Sequence, residues 1–286
     1  MKIIVTGGCG YTGTILTQEL IKLGHHVIVI DTQWFGNYLK KNKKLNIIKK
    51  DIRSLDDKIF DKVDTVVHLA NIANDPSAIL NPDLSWDINV LGTKKIVEQA
   101  IKKKVKHFIF ASSGSVYGVK KEKKVTEELS CVPISVYNKT KMIAERVILS
   151  FNSPTFKTHI IRPATVCGYS PRMRLDVSVN MLTFQALKYK KITLFGGKQI
   201  RPNIHILDLS RIFIHFIKKP NLPSGFYNAG FENISILDIS KMIQKVTNCR
   251  IKIKASNDPR SYRLDSSKIL SKGFKPKKNV NIAVKE

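Results

Sequence analysis

Tyr137 and Lys141 stand four residues apart in a stretch, 135–151, that reads as a helix behind Pro133. Residues at i and i+4 share a helix face, so the phenol and the ammonium point the same way. A nearby positive charge favours phenolate and lowers the tyrosine pKa. That turns a weak acid into a usable base near neutral pH. Upstream, an apolar run at 107–111 delivers the hydroxyl cluster Ser112-Ser113-Gly114-Ser115. Ser113, at a strand end, completes a candidate catalytic set with Tyr137 and Lys141. Such a set moves a single proton at a hydroxyl.

The elements that must position this set begin at the N-terminus. Residues 3–5 (Ile-Ile-Val) read as a strand that breaks into Thr6-Gly7-Gly8-Cys9-Gly10-Tyr11-Thr12-Gly13, after which a helical pattern starts (Ile15, Leu16, Leu20, Ile21, Leu23). Strand, glycine-rich turn and helix in this order form a dinucleotide-binding turn. Glycines let the backbone approach a pyrophosphate, whose charge sits on the free N–H groups of the helix N-terminus. Gly7, Gly10, Tyr11, Thr12 and Gly13 are the candidate cofactor contacts. A second strand, 26–30, ends in Asp31, 18 residues after Gly13, where a carboxylate accepts hydrogen bonds from an adenosine ribose. Asp31 points to NAD over NADP, because a 2′-phosphate would set negative charge against it.

The remaining pattern alternates strands and helices: strands at 45–49, 64–70, 107–111 and 157–162, a short crossover helix at 55–61, and a long helix at 82–104. This implies an α/β fold with a doubly wound parallel sheet, whose ligands bind beyond the carboxyl ends of the strands. The 286 residues suffice for one such domain and a smaller appendage. No run approaches a membrane span, and the first apolar stretch is too short for a signal peptide. Four cysteines (9, 131, 167 and 249) without paired spacing point to a reducing cytoplasm, with no disulfide framework and no metal site.

Net charge is +27, which would ordinarily raise nucleic-acid binding. The lysines instead lie in short runs along the whole chain, without the interleaved aromatics of a stacking platform. They read as a solvated basic face that draws in an anionic substrate, with neither nucleic acid nor membrane as partner.

The Gly7-x-x-Gly10-x-x-Gly13 spacing, the Tyr137-x-x-x-Lys141 pair and the string Asn89-Val90-Leu91-Gly92-Thr93 together resemble the extended short-chain dehydrogenase/reductase superfamily. Within it the chain is similar to the nucleotide-sugar epimerases and dehydratases. The resemblance implies NAD as cofactor, adenine contacts from Asp51 and Ile52, and a fourth strand whose end, Leu69 and Ala70, passes close to NAD. The resemblance also implies cofactor contacts from Asn89, which ties its helix to the sheet, and from Lys141, whose ammonium reaches the nicotinamide ribose. In the resembled family an Asn on a helix and two Arg hold the substrate diphosphate, which here are Asn180, Arg201 and Arg263. Residues 1–168 are then the NAD-binding Rossmann-type domain, rejoined by 201–224. The stretches 169–200 and 225–286 form a C-terminal α/β substrate-binding lid. Pairing through helices 83–104 and 135–151 implies a homodimer.

In the resembled family NAD takes a hydride from the sugar C4 while tyrosine takes the hydroxyl proton. Dehydratases of the family carry an Asp-Glu pair just after the strand-five hydroxyl, where this chain has Gly114 and Ser115. An epimerase working through a 4-keto intermediate on a nucleotide-diphosphate sugar is the expectation. A reductase or dehydratase of a nucleotide sugar, or an NAD-binding sensor without catalysis, are the alternatives. His68 reads as a packed strand histidine and Cys167 as an inert thiol.

Overall fold

The computed structural model describes residues 1–255 and 261–286. Its main body is a sheet of seven strands: β1 (Lys2–Thr6), β2 (His26–Asp31), β3 (Leu45–Lys49), β4 (Thr65–His68), β5 (His107–Ala111), β6 (Lys157–Pro163) and a later strand, Gly225–Ala229, described below. The spatial order from one edge is β3-β2-β1-β4-β5-β6 and then 225–229, with every pair parallel. The inner strands β1, β2, β4, β5 and β6 are buried on both faces, as near-continuous apolar runs require, while the edge strand β3 is only partly covered. Along β1, Ile3 and Val5 face one apolar layer with Val27 and Val29, while Ile4 faces the other with Ile28 and Ile30.

Helix α1 (Tyr11–Lys22) covers the first face. The second carries α2 (Asp75–Leu80), α3 (Pro82–Trp86), α4 (Thr93–Lys102) and α5 (Val136–Ser150). The crossover helix expected at 55–61 is instead two 3₁₀ turns, Ile52–Ser54 and Asp57–Phe60, each capped by the aspartate before it. Caps so close together end each turn before an α-helical ladder can form. The long helix expected at 82–104 is interrupted by a π-helical segment, Asp87–Gly92, that contains Asn89. There the Asn89 amide bonds the Ile72 backbone in both directions, accepting at 2.7 Å and donating at 3.2 Å, and donates to Thr140 Oγ1 at 3.0 Å. Thr140 in turn donates to the Tyr137 carbonyl. The widened turn and its side chain lock the π segment, the loop after β4 and α5 together.

After β6 the chain continues through β7 (Thr165–Cys167), α6 (Ser178–Tyr189), β8 (Lys191–Phe195), β9 (Ile200–His205), α7 (Ile206–Lys218), β10 (Gly225–Ala229), β11 (Glu232–Ser235), α8 (Ile236–Thr247), β12 (Arg250–Lys254), α9 (Ser267–Ser271) and α10 (Val280–Lys285), most of which form a C-terminal lobe. Two of the expected boundaries are corrected here. Residues 225–229 were placed in the lid, but β10 is the outer strand of the main sheet, where Tyr227 and Ala229 complete its apolar layer. Residues 201–205 were placed in the main domain, but β9 pairs with β7 and β11 in a separate three-stranded sheet. Of the expected segment 201–224, α7 rejoins the main body, burying Ile212, Phe213 and Phe216 beside α1. The lobe has its own core, built from Val179, Leu182, Ile192, Leu194, Ile239 and Ile243.

Three histidines are sealed in the sheet. His68 Nε2 lies 2.9 Å from Thr93 Oγ1, which donates to the Asn89 carbonyl and so must accept. His68 Nδ1 therefore receives the Thr6 hydroxyl at 2.7 Å. His159 Nε2 donates to the Leu222 carbonyl, leaving Nδ1 to accept from His107 Nε2 at 2.7 Å. Burial pulls His68 and His107 down to about 3 and His159 down to about 4. All three stay neutral in the fold, while in the unfolded chain each protonates near pH 6.5. Folded values below unfolded ones mean that their stability contribution is complete above about pH 6.5 and is lost as pH falls toward 4. Three protons taken up on unfolding cost roughly 5 kcal/mol between pH 7 and pH 5. Denaturant midpoints measured at the two pH values check this, and a flat profile would exclude three neutral rings.

Candidate active site

At the end of β1 the backbone turns through Gly7, whose φ is +70°. A Cβ there would lie 2.7 Å from the Ala70 nitrogen, and one at Gly13 would lie 2.2 Å from the Gly7 carbonyl oxygen. The Gly7 N–H donates to the Ile30 carbonyl and Ala70 N–H donates to Thr6 Oγ1. The turn is thus pinned between the ends of β2 and β4, and Leu69 and Ala70 border it. Helix α1 starts at Tyr11 with Gly10 as its N-cap, and no side chain caps it. Its first N–H groups and the positive end of the helix dipole face outward, a ready anion site. Asp31 accepts from the Cys9 N–H at 3.0 Å and from the Gln33 N–H at 2.7 Å. Its carboxylate is therefore fixed against the turn. A close-approach glycine turn, an uncapped helix and a fixed carboxylate fit a dinucleotide.

The second cluster lies beyond β5. Ser113 caps the 3₁₀ turn Gly114–Tyr117, accepting from the Ser115 N–H, with its hydroxyl 2.7 Å from Ser115 Oγ. Ser115 in turn donates to Asn138 on α5. Ser135 caps α5 by accepting from the Asn138 N–H, and its hydroxyl donates to Asp75 at 2.5 Å. Tyr137 sits half-buried in the first turn of α5. Burial raises its pKa, while Arg174 and a hydrogen bond with Ser113 lower it and Asp75 opposes them. One turn on, Lys141 is fully buried; its Nζ donates to the Ala111 carbonyl at 2.6 Å and stands 4.5 Å from the Phe110 ring centre. Burial pulls Lys141 down to about 7 against the opposing charge of Glu145.

Arg174 is the site residue that sequence reasoning passed over. Its guanidinium binds Asp176 through two contacts, at 3.0 and 2.5 Å, and Asp176 accepts from the Asn74 amide at 2.7 Å. Despite partial burial, these bonds hold the Asp176 carboxyl down at about 2. The chain segment 169–177 is thereby tied to the start of α2, which brings Arg174 to Tyr137. Nothing in the local sequence marks it, because the segment is irregular and its anchor, Asn74, lies 102 residues from the Asp176 that it holds. Arg172, beside it, stacks its guanidinium 4.1 Å over Phe35 in the loop after β2.

Several expected contacts take other partners. The Tyr11 ring turns inward and its hydroxyl donates to the Gly168 carbonyl at 2.6 Å, so its side chain is committed within the protein. Asn180 is buried, accepting from the Gly168 N–H and donating to Tyr11 Oη and the Arg174 carbonyl. A side chain with both amide protons used inside the protein is a bracket, in place of the diphosphate contact expected of it. Asn89 likewise is committed to Ile72 and Thr140, in place of a cofactor contact. Asp51 caps its 3₁₀ turn and pairs with Arg53 at 2.8 Å, while Ile52 is buried against Gly92. Arg201 lies on β9, and the Tyr262 N–H donates to the Ile200 carbonyl. That bond runs the exposed Arg263 beside the strand carrying Arg201. Among the described residues no group of three or more His, Cys, Asp or Glu side chains could hold a metal ion.

The model of the NAD dependent epimerase/dehydratase family matches residues 3–230. An uncharacterized UDP-glucose epimerase of Bacillus subtilis (strain 168) is 32% identical over 94% of this chain and 90% of its own. Among solved structures, the UDP-glucuronic acid 4-epimerase of Bacillus cereus in complex with UDP-glucuronic acid and NAD is 28% identical. It aligns over 100% of this chain and 97% of its own, with a TM-score of 0.88. The UDP-glucose 4-epimerase of Thermotoga maritima with UDP-glucose is 26% identical, over 100% and 96%, also with a TM-score of 0.88.

Gly7→Ala tests the turn. A Cβ at that φ, pressed on Ala70, should weaken NAD binding at least ~100-fold, about 2.7 kcal/mol. Calorimetric titration of NAD measures it, and unchanged affinity would remove the turn from the cofactor site.

Proposed function

Because the chain belongs to the NAD dependent epimerase/dehydratase family, we propose that it is an NAD-dependent 4-epimerase of a nucleotide-diphosphate sugar. The observation that carries the choice is the tight packing at Gly114. A Cβ there would come 3.2 Å from the Pro163 carbonyl and 3.6 Å from the Tyr262 hydroxyl. Ser115, the next residue, is held between Ser113 and Asn138. A site that eliminates water from the sugar needs a further acid at this edge; Gly114 and Ser115 supply none, and a side chain at 114 would press on the Pro163 carbonyl. Epimerisation needs a base at one hydroxyl and a sugar free to turn over.

In this reading NAD supplies, when bound, reversible acceptance of the hydride at sugar C4. The chain does the rest. Backbone N–H groups of Gly10 to Gly13 hold the pyrophosphate, and Asp31 the adenosine ribose. Asp51, Ile52, Leu69 and Ala70 line the adenine and nicotinamide sides. Tyr137 holds and returns the C4 hydroxyl proton, Ser113 orients that hydroxyl, and Lys141 with Arg174 favours phenolate. Arg201 and Arg263 grip the diphosphate, whose geometry a guanidinium fork matches. Relatives that hold UDP-glucose and UDP-glucuronic acid support a uridine diphosphate as the carrier. The four cysteines are free, which supports a cytoplasmic site. No helix among the described residues is long and apolar enough to cross a membrane.

The protein pairs as a homodimer through α4, α5 and the neighbouring helices, where Leu80, Trp86 and Leu91 are exposed. Leu91→Glu should leave a monomer in sedimentation velocity; an unchanged species distribution would move the interface elsewhere.

Incubation with UDP-glucose and UDP-glucuronic acid, followed by NMR of the sugar C4 proton, tests the reaction. Inversion with no net change in NAD is expected. Tyr137→Phe should lower kcat at least ~100-fold, while Arg201→Ala and Arg263→Ala should raise KM. Stoichiometric consumption of NADH, loss of water, or cofactor binding without turnover would each overturn the proposal.

A further inference from the structure

A buried ion pair lies directly beneath the catalytic helix, and no step described so far uses it. Glu145 on α5 and Arg162 on β6 are both essentially inaccessible to solvent. Arg162 Nε and Nη2 donate to the two Glu145 oxygens at 2.9 and 2.7 Å. Ser112, the residue after Ala111, donates its hydroxyl to Glu145 Oε1 at 2.5 Å. Arg162 also donates to the Tyr117 hydroxyl at 2.8 Å and stacks 4.0 Å over the Phe226 ring. Tyr117 passes the chain of bonds to Asn228. Glu145 stands four residues after Lys141, on the same face of α5.

Each element packed around Lys141 presents a defined group. From β4 comes neutral His68, from β5 the Phe110 ring and the Ala111 carbonyl, and from α5 Glu145, whose own partners are Ser112 beside Ala111 and, on β6, Arg162. Asn89 and Thr93, on the π segment and α4, carry no charge. Glu145 is thus the carboxylate that opposes the burial of the Lys141 ammonium, and Arg162 offsets part of its charge.

We propose that Glu145 is a positioning residue that acts through Lys141. Its carboxylate is the counter-charge that keeps the lysine an ammonium at the site, and Arg162 sets how strongly that charge is felt. This rests on the reading that places Lys141 in the catalytic set. The two partners then have opposite effects, which a purely structural ion pair would not produce. Removing Glu145 leaves Arg162 unpaired and makes Lys141 lose its proton at lower pH. Removing the Arg162 charge frees the carboxylate and makes Lys141 hold its proton to higher pH.

The test is the titration of the Lys141 side chain in the whole protein, followed by ¹³C NMR of its labelled ε-carbon. The resonance is assigned by its loss in Lys141→Met. Glu145→Gln should move the midpoint down by at least ~1 pH unit, a tenfold change in the protonation equilibrium. Arg162→Gln should move it up, with Glu145→Gln/Arg162→Gln between the two. Should a single variant fail to fold by circular dichroism, Ser112→Ala still decides. It strips a donated hydrogen bond from Glu145, strengthens its field, and should move the midpoint upward. An unmoved midpoint, or shifts of one sign in both single variants, would overturn the proposal. The titration needs no turnover, so the expected shifts in a protein that epimerises nothing would sustain this proposal and overturn the assigned reaction. Turnover with a titration indifferent to Glu145 would do the reverse.

Discussion

An ammonium group in a protein interior is costly unless its charge is met, and the site is arranged around one such group, Lys141. Its Nζ has one hydrogen-bond acceptor, the Ala111 carbonyl, and one aromatic face, Phe110. Both come from the end of β5, so the strand that delivers Ser113 also seats the lysine. Burial brings Lys141 to about 7. Near neutrality Lys141 therefore carries part of the positive charge at the site, and Arg174, which lowers the Tyr137 pKa as well, stays charged at every relevant pH. Two cations of different character serve one phenol. One can be discharged near neutrality, and the other cannot.

That division explains how much of the site the sequence disclosed. The glycine turn, Asp31, Ser113, Tyr137 and Lys141 were legible because each lies at a fixed offset from a strand end or on one helix face. Backbone geometry alone fixes their neighbours. Arg174 was not legible, since its place depends on Asp176 reaching Asn74 across about 100 residues. Asn180 carried the opposite difficulty. Its residue type and order suggested a ligand, but the tertiary fold supplied partners for both of its amide protons. The same holds for Asn89, whose position in a π-helical segment becomes visible only when the loop after β4 closes on it.

The fold was legible to a similar depth. Strand runs buried on both faces read clearly, and six strands of the main sheet fall where the apolar pattern places them. The errors lie where local pattern is silent about pairing. Residues 200–205 and 225–229 are both short strands, and nothing within them tells which sheet each joins. The choice is made by what lies outside them: β10 covers the open edge of β6, while β9 is claimed by β7 and β11.

The bracket at Tyr11 connects these levels. The residue that opens α1 stands in the uncapped first turn of that helix and sends its side chain to Gly168 and Asn180. Asn180 also holds the carbonyl of Arg174, and Ser170 holds the carbonyl of Tyr11. One buried network therefore joins the start of the cofactor turn to the segment that carries the cation beside Tyr137. In water each such bond is worth only about 1 kcal/mol, but a buried donor left without its partner costs more. The turn and the segment consequently cannot separate without exposing or orphaning several groups at once. This is why the irregular stretch 169–177, which has little regular structure of its own, keeps Arg174 in register with a phenol delivered by a different helix.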